Sequence, residues 1–248
     1  AGAGRAAVII KGRRGGPGRG GIQPSQADYG QATKATGHGS VQILVCAPST
    51  VQEMVDLISH AFDTADKYRM PAMILADGML GQMMEPVTMP EYKPMEVDKS
   101  GAATGWHEGC GRERAIINSL YIEPDRLEAL VRKLEAKYKA IAENETMVDL
   151  QYMDDAEYAA VAYGHPARIA LTAVRTARKQ GMKAGLIRPT TVWPFPEKVI
   201  ADAASHLKGV LTVEMSLGQM VDDVRLAVNG QCPVRFFGRT GNPGQTHD

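Results

Sequence analysis

The chain has 248 residues, 44% of them hydrophobic, and its 28 lysines and arginines balance its 28 aspartates and glutamates. A net charge near zero argues against nucleic acid as the principal partner, and neither a long apolar run nor a signal-peptide pattern is present, which argues against membrane spanning and secretion. The cysteines, Cys46, Cys110 and Cys232, are too widely separated to suggest a disulfide framework or a zinc or iron–sulfur site, so we expect a reducing compartment, the cytoplasm.

The first predicted element is a buried strand over residues 6–10, Ala-Ala-Val-Ile-Ile. A core strand normally has a neighbour on each side, and this one begins almost at the first residue. We therefore expect that an amino-terminal piece of the first domain is missing from the chain.

An unusual loop follows this strand. Residues 13–21 contain three arginines and five glycines, and residues 1–27 contain five bases and no acid. Glycine lets the backbone approach a ligand closely, and arginine pairs with carboxylates and phosphates through two parallel hydrogen bonds. The composition favours an anion-contacting loop within a long irregular segment, residues 11–40.

Two other interpretations of this loop stay open. It could be a solvated surface turn, because glycine, proline and serine are common in turns. It also matches the spacing Gly16-x-Gly18-x-x-Gly21 of dinucleotide-binding loops. That match is disfavoured because Pro24 sits awkwardly in a helix starting at the third glycine, and no acidic residue ends the next strand.

A strand–helix–strand unit is predicted next. Residues 41–47 form a strand, Thr50 and Glu53 form a capping box that opens an amphipathic helix, and residues 71–76 form a third strand. A short joint between helix and strand predicts a parallel crossover. The methionines that follow, Met79, Met83 and Met84, favour a subunit interface.

Residues 85–111 read as a linker rich in proline, glycine, lysine and glutamate. His107, Glu108 and Cys110 lie in it, but they lack the paired spacing of metal ligands, and we assign no metal site to this chain. A long amphipathic helix is then predicted over residues 124–143, beginning at Pro124.

The remainder alternates strands and helices. Strands are predicted at residues 156–164, 183–192, 210–215 and 234–238, and helices at residues 167–180, 196–208 and 219–229. Repeated strand–helix units predict a second doubly wound α/β domain.

Several longer motifs resemble a known family. They are Arg-Gly-Gly-Pro-Gly at 14–18, Gln-Pro-Ser-Gln-Ala-Asp-Tyr at 23–29, Ala-Asp-Gly-Met-Leu-Gly-Gln-Met-Met-Glu-Pro at 76–86, Trp-Pro-Phe-Pro at 193–196 and Val-Glu-Met-Ser-Leu-Gly-Gln-Met at 213–220. Together they make the chain similar to alpha subunits of 2-oxoacid:ferredoxin oxidoreductases, most of all the branched-chain 2-oxoisovalerate type. The 2-oxoglutarate type is the second choice within the family, and a non-catalytic transketolase-like scaffold is the alternative from another class.

The resemblance implies a fold of two doubly wound α/β domains. Residues 1–85 would be a partial pyrimidine-binding domain, residues 86–155 a linker with one long helix, and residues 156–248 a transketolase C-terminal-like domain. The glutamate that activates the thiamine aminopyrimidine in the family would belong to the missing amino-terminal piece.

The resemblance also implies an activity shared among several chains. The complex would use thiamine diphosphate with Mg²⁺ to decarboxylate a small 2-oxoacid, coenzyme A to accept the acyl group, and ferredoxin to accept the electrons. A beta subunit would contribute half of the thiamine site, and gamma and ferredoxin-like delta subunits would complete the complex. The [4Fe-4S] clusters would lie in partner subunits only.

Arg14 is the residue that the resemblance implies for contact with the substrate carboxylate, with Arg13 as the other candidate. Further candidates in the same loop would shape the turn or support the site: Gly15, Gly16, Pro17, Gln23, Gln26, Asp28 and His38. For His38 a plain turn residue is an equal alternative. His165 stands where the family has small hydroxyl residues, at a turn where an anion could bind, and we interpret it as sequence drift.

Overall fold

A computed structural model describes residues 4–91 and 105–240 of the chain. The strands in these ranges are β1 Ala7–Arg13, β2 Leu44–Cys46, β3 Pro71–Asp77, β4 Val148–Gln151, β5 Tyr158–Val161, β6 Ala184–Pro189, β7 Thr191–Trp193, β8 Gly209–Glu214 and β9 Val234–Gly238. The helices are α1 Tyr29–Thr33, α2 Val51–Tyr68, α3 Pro124–Asn144, α4 His165–Lys179, α5 Glu197–Ala204 and α6 Met220–Val228.

The strands form two sheets in which parallel pairing dominates. The first sheet has the order β1-β3-β2-β7, and only β2 and β7 pair antiparallel. The second has the order β4-β6-β5-β8-β9, and only β4 and β6 pair antiparallel. Helices alternate with the parallel strands along the chain, so the predicted α/β class is confirmed.

The centre of the first sheet is β3, in which six of the seven residues are buried. Such a continuous apolar run is typical of a parallel strand covered on both faces. β1 differs, because among the described residues it pairs with β3 alone. Ile9 is 43% exposed and Ile10 57% exposed, so the prediction that this strand is buried is wrong.

The irregular segment after β1 is shorter than predicted. β1 continues to Arg13, because its parallel pairing with β3 extends as far as the pair Arg13 and Asp77. The short helix α1 interrupts the rest of the segment. Its first residue, Tyr29, is buried against Tyr163, which follows β5, with 5.6 Å between ring centroids.

The capping box of α2 is confirmed in its first half. The Thr50 hydroxyl accepts a hydrogen bond from the Glu53 backbone N–H at 3.1 Å. The Glu53 carboxylate, however, accepts from Ser49 N–H at 2.8 Å and from Arg188 on β6 at 2.7 Å. The acid of the capping motif therefore links α2 to the second sheet.

The prediction of a single strand over residues 183–192 is wrong, because the chain there forms two strands, β6 and β7, in different sheets. The break is at Thr190, whose carbonyl accepts from Ala47 N–H at 2.7 Å while its own N–H donates to Met147 at 3.0 Å. These bonds direct β6 into the second sheet and β7 into the first. β4, which has no apolar run, was not predicted; it pairs with β6.

One hydrophobic core joins the two sheets. It includes Val45 and Leu75 from the first sheet, Val161 and Ile187 from the second, and Tyr29 from the loop helix. The division of the chain at residues 85 and 155 stays a prediction. Among the described residues, no helix combines the length and apolar character needed to cross a bilayer.

Candidate anion-binding site

The arginine–glycine loop leaves the carboxyl end of β1, beside the carboxyl end of β3. Arg13 and Asp77 are register partners at these two ends. Ligands of open α/β sheets bind in crevices beyond the carboxyl ends of the strands. The loop therefore occupies the edge of the sheet at which a ligand is expected.

Backbone hydrogen bonds fold the loop back on itself. Gly15 N–H donates to the Gln23 carbonyl at 2.7 Å, and Gly21 N–H donates to the Gly15 carbonyl at 3.0 Å. Gly20 has φ +45°, and a Cβ on it would lie 1.7 Å from the Gly15 oxygen. Only glycine fits position 20, so at this position glycine is a geometric requirement.

Arg14 is exposed and holds the loop closed. Its Nη1 donates to the carbonyls of Gly15, at 3.2 Å, and Arg19, and its Nη2 donates to the Gly18 carbonyl at 3.3 Å. A guanidinium group has five N–H donors, so Nε–H and one Nη2–H have no partner among the described residues. These contacts orient the group while leaving donors for an anion.

Arg13, by contrast, is 1% exposed. Its Nη1 donates to the Tyr163 hydroxyl at 2.8 Å, and its Nε donates to the Ala76 carbonyl at 3.3 Å. The guanidinium carbon also lies 5.2 Å from the Tyr163 ring centre. Burial raises the pKa of Tyr163 to about 12, although the Arg13 charge opposes that rise. Arg13 is thus a structural link between the sheets, and Arg14 is the arginine that a ligand can reach.

Gln26 fastens the end of the loop to the second sheet. Its backbone N–H donates to the Met215 carbonyl at 2.7 Å, and its side-chain oxygen accepts from Met215 N–H at 3.0 Å. Its side-chain nitrogen donates to the Tyr163 carbonyl at 2.9 Å. Gln26 is fully buried, so it supports the loop and does not face a ligand.

The other predicted residues take different places. Gly16 and Pro17 lie on the exposed outer side of the loop, and the Gln23 side chain is exposed as well. Asp28 pairs with Lys11 at 3.1 Å. His38 is exposed and makes no hydrogen bond with the described residues, and its part in the site stays a prediction.

Residues from α6 complete the attachment of α1. The Tyr29 hydroxyl donates to Asp223 at 2.5 Å, and Lys34 pairs with the other Asp223 oxygen at 2.6 Å. The side chain of Gln219 accepts from Gly30 N–H and donates to the Ala27 carbonyl, both at 2.6 Å. Asp223 and Gln219 are not among the predicted site residues, because Gln219 is marked only by the motif over residues 213–220 and Asp223 only by the helix pattern.

Glu214 caps the amino terminus of α6. Its carboxylate accepts backbone N–H groups of Gln219, Met220 and Val221 at 2.9–3.3 Å and the Ser216 hydroxyl at 3.0 Å. A carboxylate at a helix amino terminus satisfies donors that have no partner within the helix. The motif over residues 213–220 is therefore a built-in helix cap that positions Gln219 against the loop.

Asp77 joins the same edge to α4. One carboxylate oxygen accepts from Met79 and Leu80 N–H at 3.0 and 3.1 Å, and the other accepts from His165 N–H at 3.2 Å. Gly78 follows, and a Cβ there would lie 3.1 Å from the Arg13 carbonyl oxygen. His165 Nδ1 is buried and has no partner among the described residues.

Comparisons with known proteins identify the family of this chain. Residues 1–154 match the family model for the thiamine diphosphate-binding domain of pyruvate flavodoxin/ferredoxin oxidoreductases, and residues 156–247 match core domain II of pyruvate:ferredoxin oxidoreductase. The chain belongs to the 2-oxoacid:ferredoxin oxidoreductase family. It is of the alpha type, and the family's members are oxidoreductases that work as multi-subunit complexes.

The curated relatives of this chain include subunits of enzymes that are named for two different 2-oxoacids. The ketoisovalerate oxidoreductase subunits VorB of Methanothermobacter marburgensis and Methanothermobacter thermautotrophicus are 44% and 43% identical over 97% of this chain and 68% of theirs. The 2-oxoglutarate synthase subunit KorA of Methanothermobacter marburgensis is 33% identical over 97% of this chain and 70% of its own.

A solved structure shares the fold. It is the 2-oxoglutarate:ferredoxin oxidoreductase from Magnetococcus marinus with 2-oxoglutarate, coenzyme A and succinyl-CoA bound, with a TM-score of 0.77 at 17% identity. The superposition covers 96% of this chain and 46% of that one. This oxidoreductase chain thus spans less than half of the solved chain.

The outer side of the loop in this oxidoreductase chain is open. A Cβ at Gly16 or Gly18 would meet no atom within 4 Å, so a ligand can approach the outer side of the loop, where Arg14 supplies positive charge. Among the described residues, no three His, Cys, Asp or Glu side chains are grouped so that they could hold a metal ion. The described residues therefore fit an anionic group but offer no acidic cage for Mg²⁺.

Proposed function

We propose that this chain is the alpha subunit of a thiamine diphosphate-dependent complex that oxidatively decarboxylates 2-oxoisovalerate to an acyl-CoA and passes the electrons to ferredoxin. The supporting observation is the higher identity to VorB, 44%, than to KorA, 33%, over the same 97% of the chain. A 2-oxoglutarate enzyme and a non-catalytic scaffold are the alternatives.

The proposal divides the chemistry among chains. A beta subunit supplies Mg²⁺ and the diphosphate-binding half of the thiamine site, and gamma and ferredoxin-like delta subunits complete the complex, with [4Fe-4S] clusters in the partners. When bound, thiamine diphosphate supplies the carbanion chemistry of the decarboxylation. The three cysteines of this chain are unpaired, and a cytoplasmic location remains part of the proposal.

In this proposal Arg14 binds the carboxylate of the 2-oxoacid. The group is exposed at the carboxyl edge of the sheet, and its loop contacts hold it in place while two N–H donors have no partner among the described residues. An arginine that is already held in position loses little conformational entropy when it pairs with a carboxylate. The proposal assigns this role to Arg14 and not to Arg13, because the Arg13 guanidinium is buried and donates to the Tyr163 hydroxyl and the Ala76 carbonyl.

Substrate preference is tested with the native complex, purified through a tag on this chain. Viologen reduction is measured with coenzyme A and, in turn, 2-oxoisovalerate, 2-oxoglutarate and pyruvate. Fastest turnover on 2-oxoisovalerate supports the proposal, and preference for 2-oxoglutarate changes the substrate but keeps the reaction. No reduction by a preparation that contains thiamine diphosphate and intact clusters would leave the scaffold as the remaining candidate.

The role of Arg14 is tested by Arg14→Lys, which keeps the charge but loses the planar fork. We expect the KM for the 2-oxoacid to rise about tenfold or more, which corresponds to roughly 1.4 kcal/mol or more of lost binding. Arg19→Ala is the matched control, because Arg19 is exposed in the same loop and only its backbone carbonyl contacts Arg14. An unchanged KM for Arg14→Lys would remove the assignment.

A further inference from the structure

The amino-terminal part of α3 has an apolar stripe that no other part of the described chain covers. Only Ile141 is buried in this helix of 21 residues. Leu127 is 45% exposed and Val131 is 41% exposed. At about 1.5 Å per residue the helix is roughly 31 Å long, and Leu127 and Val131 lie one turn apart in its amino-terminal half, where both side chains are available to a partner.

The segment that precedes α3 adds to this surface. Ile116, Leu120 and Ile122 are 85%, 67% and 83% exposed. Scattered apolar residues are normal on a protein surface, but contiguous ones mark interaction sites. We call residues 116–122 and the stripe of α3 the α3 surface.

A basic cleft of about 300 Å³ lies between the segment and the helix. Four bases line it, Lys67, Arg69, Lys133 and Lys137, together with aliphatic side chains such as Leu130. No acidic side chain lines it. The nearby carboxylate of Glu145 is 7% exposed and is already paired with Lys67 at 2.8 Å.

The other bases of α3 differ from those in the cleft. Arg126, Arg132 and Lys139 each pair with a glutamate three or four residues earlier, at 2.5–2.8 Å. Lys133 and Lys137 have no acidic partner among the described residues. Burial, with the neighbouring charges of Arg69 and Lys133, lowers the pKa of Lys137. Lys133 and Lys137 are therefore the two bases of the cleft whose charges no acidic side chain of the described residues compensates.

We propose that the α3 surface is the docking site of a companion subunit, whose contacting segment presents aliphatic side chains flanked by carboxylates. Acidic flanks match the uncompensated lysines, and an apolar centre matches the exposed stripe. A small anion would fill the cleft but leave the stripe exposed. A second copy of this chain is disfavoured, because a two-fold contact sets a patch against itself and would bring lysines toward lysines.

Cross-linking of the native complex tests this docking site directly. A carbodiimide joins a lysine to a carboxylate only where the two are in contact. We expect Lys133 or Lys137 to be linked to an aspartate or glutamate of a companion subunit, identified by mass spectrometry of the peptides. Links only within the chain would overturn the proposal, as would links to a second copy, which are recognised in complexes that mix isotopically light and heavy chains.

Charge reversal provides a second test. Lys133→Glu with Lys137→Glu is expected to reduce retention of the companion subunit on the tagged chain about tenfold or more, the scale of roughly 1.4 kcal/mol. Arg132→Glu with Lys139→Glu makes the same change of charge on the same helix but at paired positions, and retention should stay near the wild-type value. Unchanged retention for the first variant would overturn the proposal.

The proposal relies on the proposed function only for the existence of companion subunits, and the two fail separately. Suppose that the charge-reversed chain loses the companion subunit and that the wild-type complex reduces no viologen. This combination would support the docking site and count against the proposed enzymatic activity. A wild-type complex that reduces viologen but has no cross-link at Lys133 or Lys137 would support the enzymatic activity and count against the docking site.

Discussion

Tyr29 and Asp223 are 194 residues apart in the chain, yet the Tyr29 hydroxyl donates a hydrogen bond of 2.5 Å to the Asp223 carboxylate. Tyr29 is 1% exposed and Asp223 5% exposed. Burial and the Asp223 charge both raise the pKa of Tyr29 well above its ordinary value, so the phenol stays protonated and continues to donate. This contact fixes α1, which follows the arginine–glycine loop, to α6.

Tyr29→Phe should therefore destabilise the chain and loosen the loop. A hydrogen bond to a charged group contributes roughly 1.5–3 kcal/mol, and we expect the free energy of unfolding in urea to fall by about that amount. Tyr158→Phe is the control, since Tyr158 is 43% exposed and makes no hydrogen bond through its side chain with the described residues. Equal stability of the two variants would contradict this account.

Arg13 and Arg14 should respond in opposite ways to the same substitution. Arg13→Ala leaves the Tyr163 hydroxyl buried without its partner, so we expect a loss of roughly 2–4 kcal/mol in the free energy of unfolding. Arg14→Ala removes an exposed side chain and should cost less than about 1 kcal/mol while raising the KM. Urea unfolding of both variants decides the matter, and a larger loss for Arg14→Ala would reverse the two roles.

Gly20→Ala should disrupt the loop more than Gly16→Ala. Alanine at position 20 would adopt φ +45° and place its Cβ 1.7 Å from the Gly15 oxygen, whereas a Cβ at Gly16 meets no atom within 4 Å. We expect Gly20→Ala to lose about 1–3 kcal/mol of stability and to raise the KM of the complex. Gly16→Ala should stay within about 0.5 kcal/mol, and similar behaviour of both variants would show that the loop backbone is not as described.

The Glu53–Arg188 pair should make stability depend on pH. Burial raises the pKa of Glu53, but hydrogen bonds from Arg188 and Ser49 outweigh burial and lower it from 4.5. Because the pKa of the folded state is depressed, the stabilisation is present above the unfolded value and is lost as the pH falls through the folded value.

Glu53→Gln measures this contribution. The variant should be less stable than the wild type at pH 7, and the difference should shrink as the pH falls below about 4.3, the ordinary value for glutamate. Urea unfolding from pH 3 to pH 7 follows it. Asp56→Asn, an exposed change on the same helix, should show a much smaller pH-dependent difference. A difference for Glu53→Gln that is independent of pH would show that the pair does not act through its charge.

Local patterns in the sequence predicted the α/β class, the cap of α2 at Thr50 and the strand β3, because periodicity, capping and apolar runs act over a few residues. The same patterns marked the arginine–glycine loop, in which the backbone geometry requires glycine at position 20. They did not predict the exposure of β1, the split of β6 from β7 at Thr190, or β4, since each depends on which strand lies beside it.

Only the tertiary structure shows that the two neighbouring arginines differ in burial and in hydrogen-bond partners. Arg13 and Arg14 are adjacent and chemically identical, and the sequence marked both as anion-binding candidates. Strand alternation sends one side chain inward to Tyr163, 150 residues away, and the other outward to the loop carbonyls. Residue type and local pattern come from the sequence, whereas burial and partner depend on contacts between distant residues that form only when the two sheets share a core.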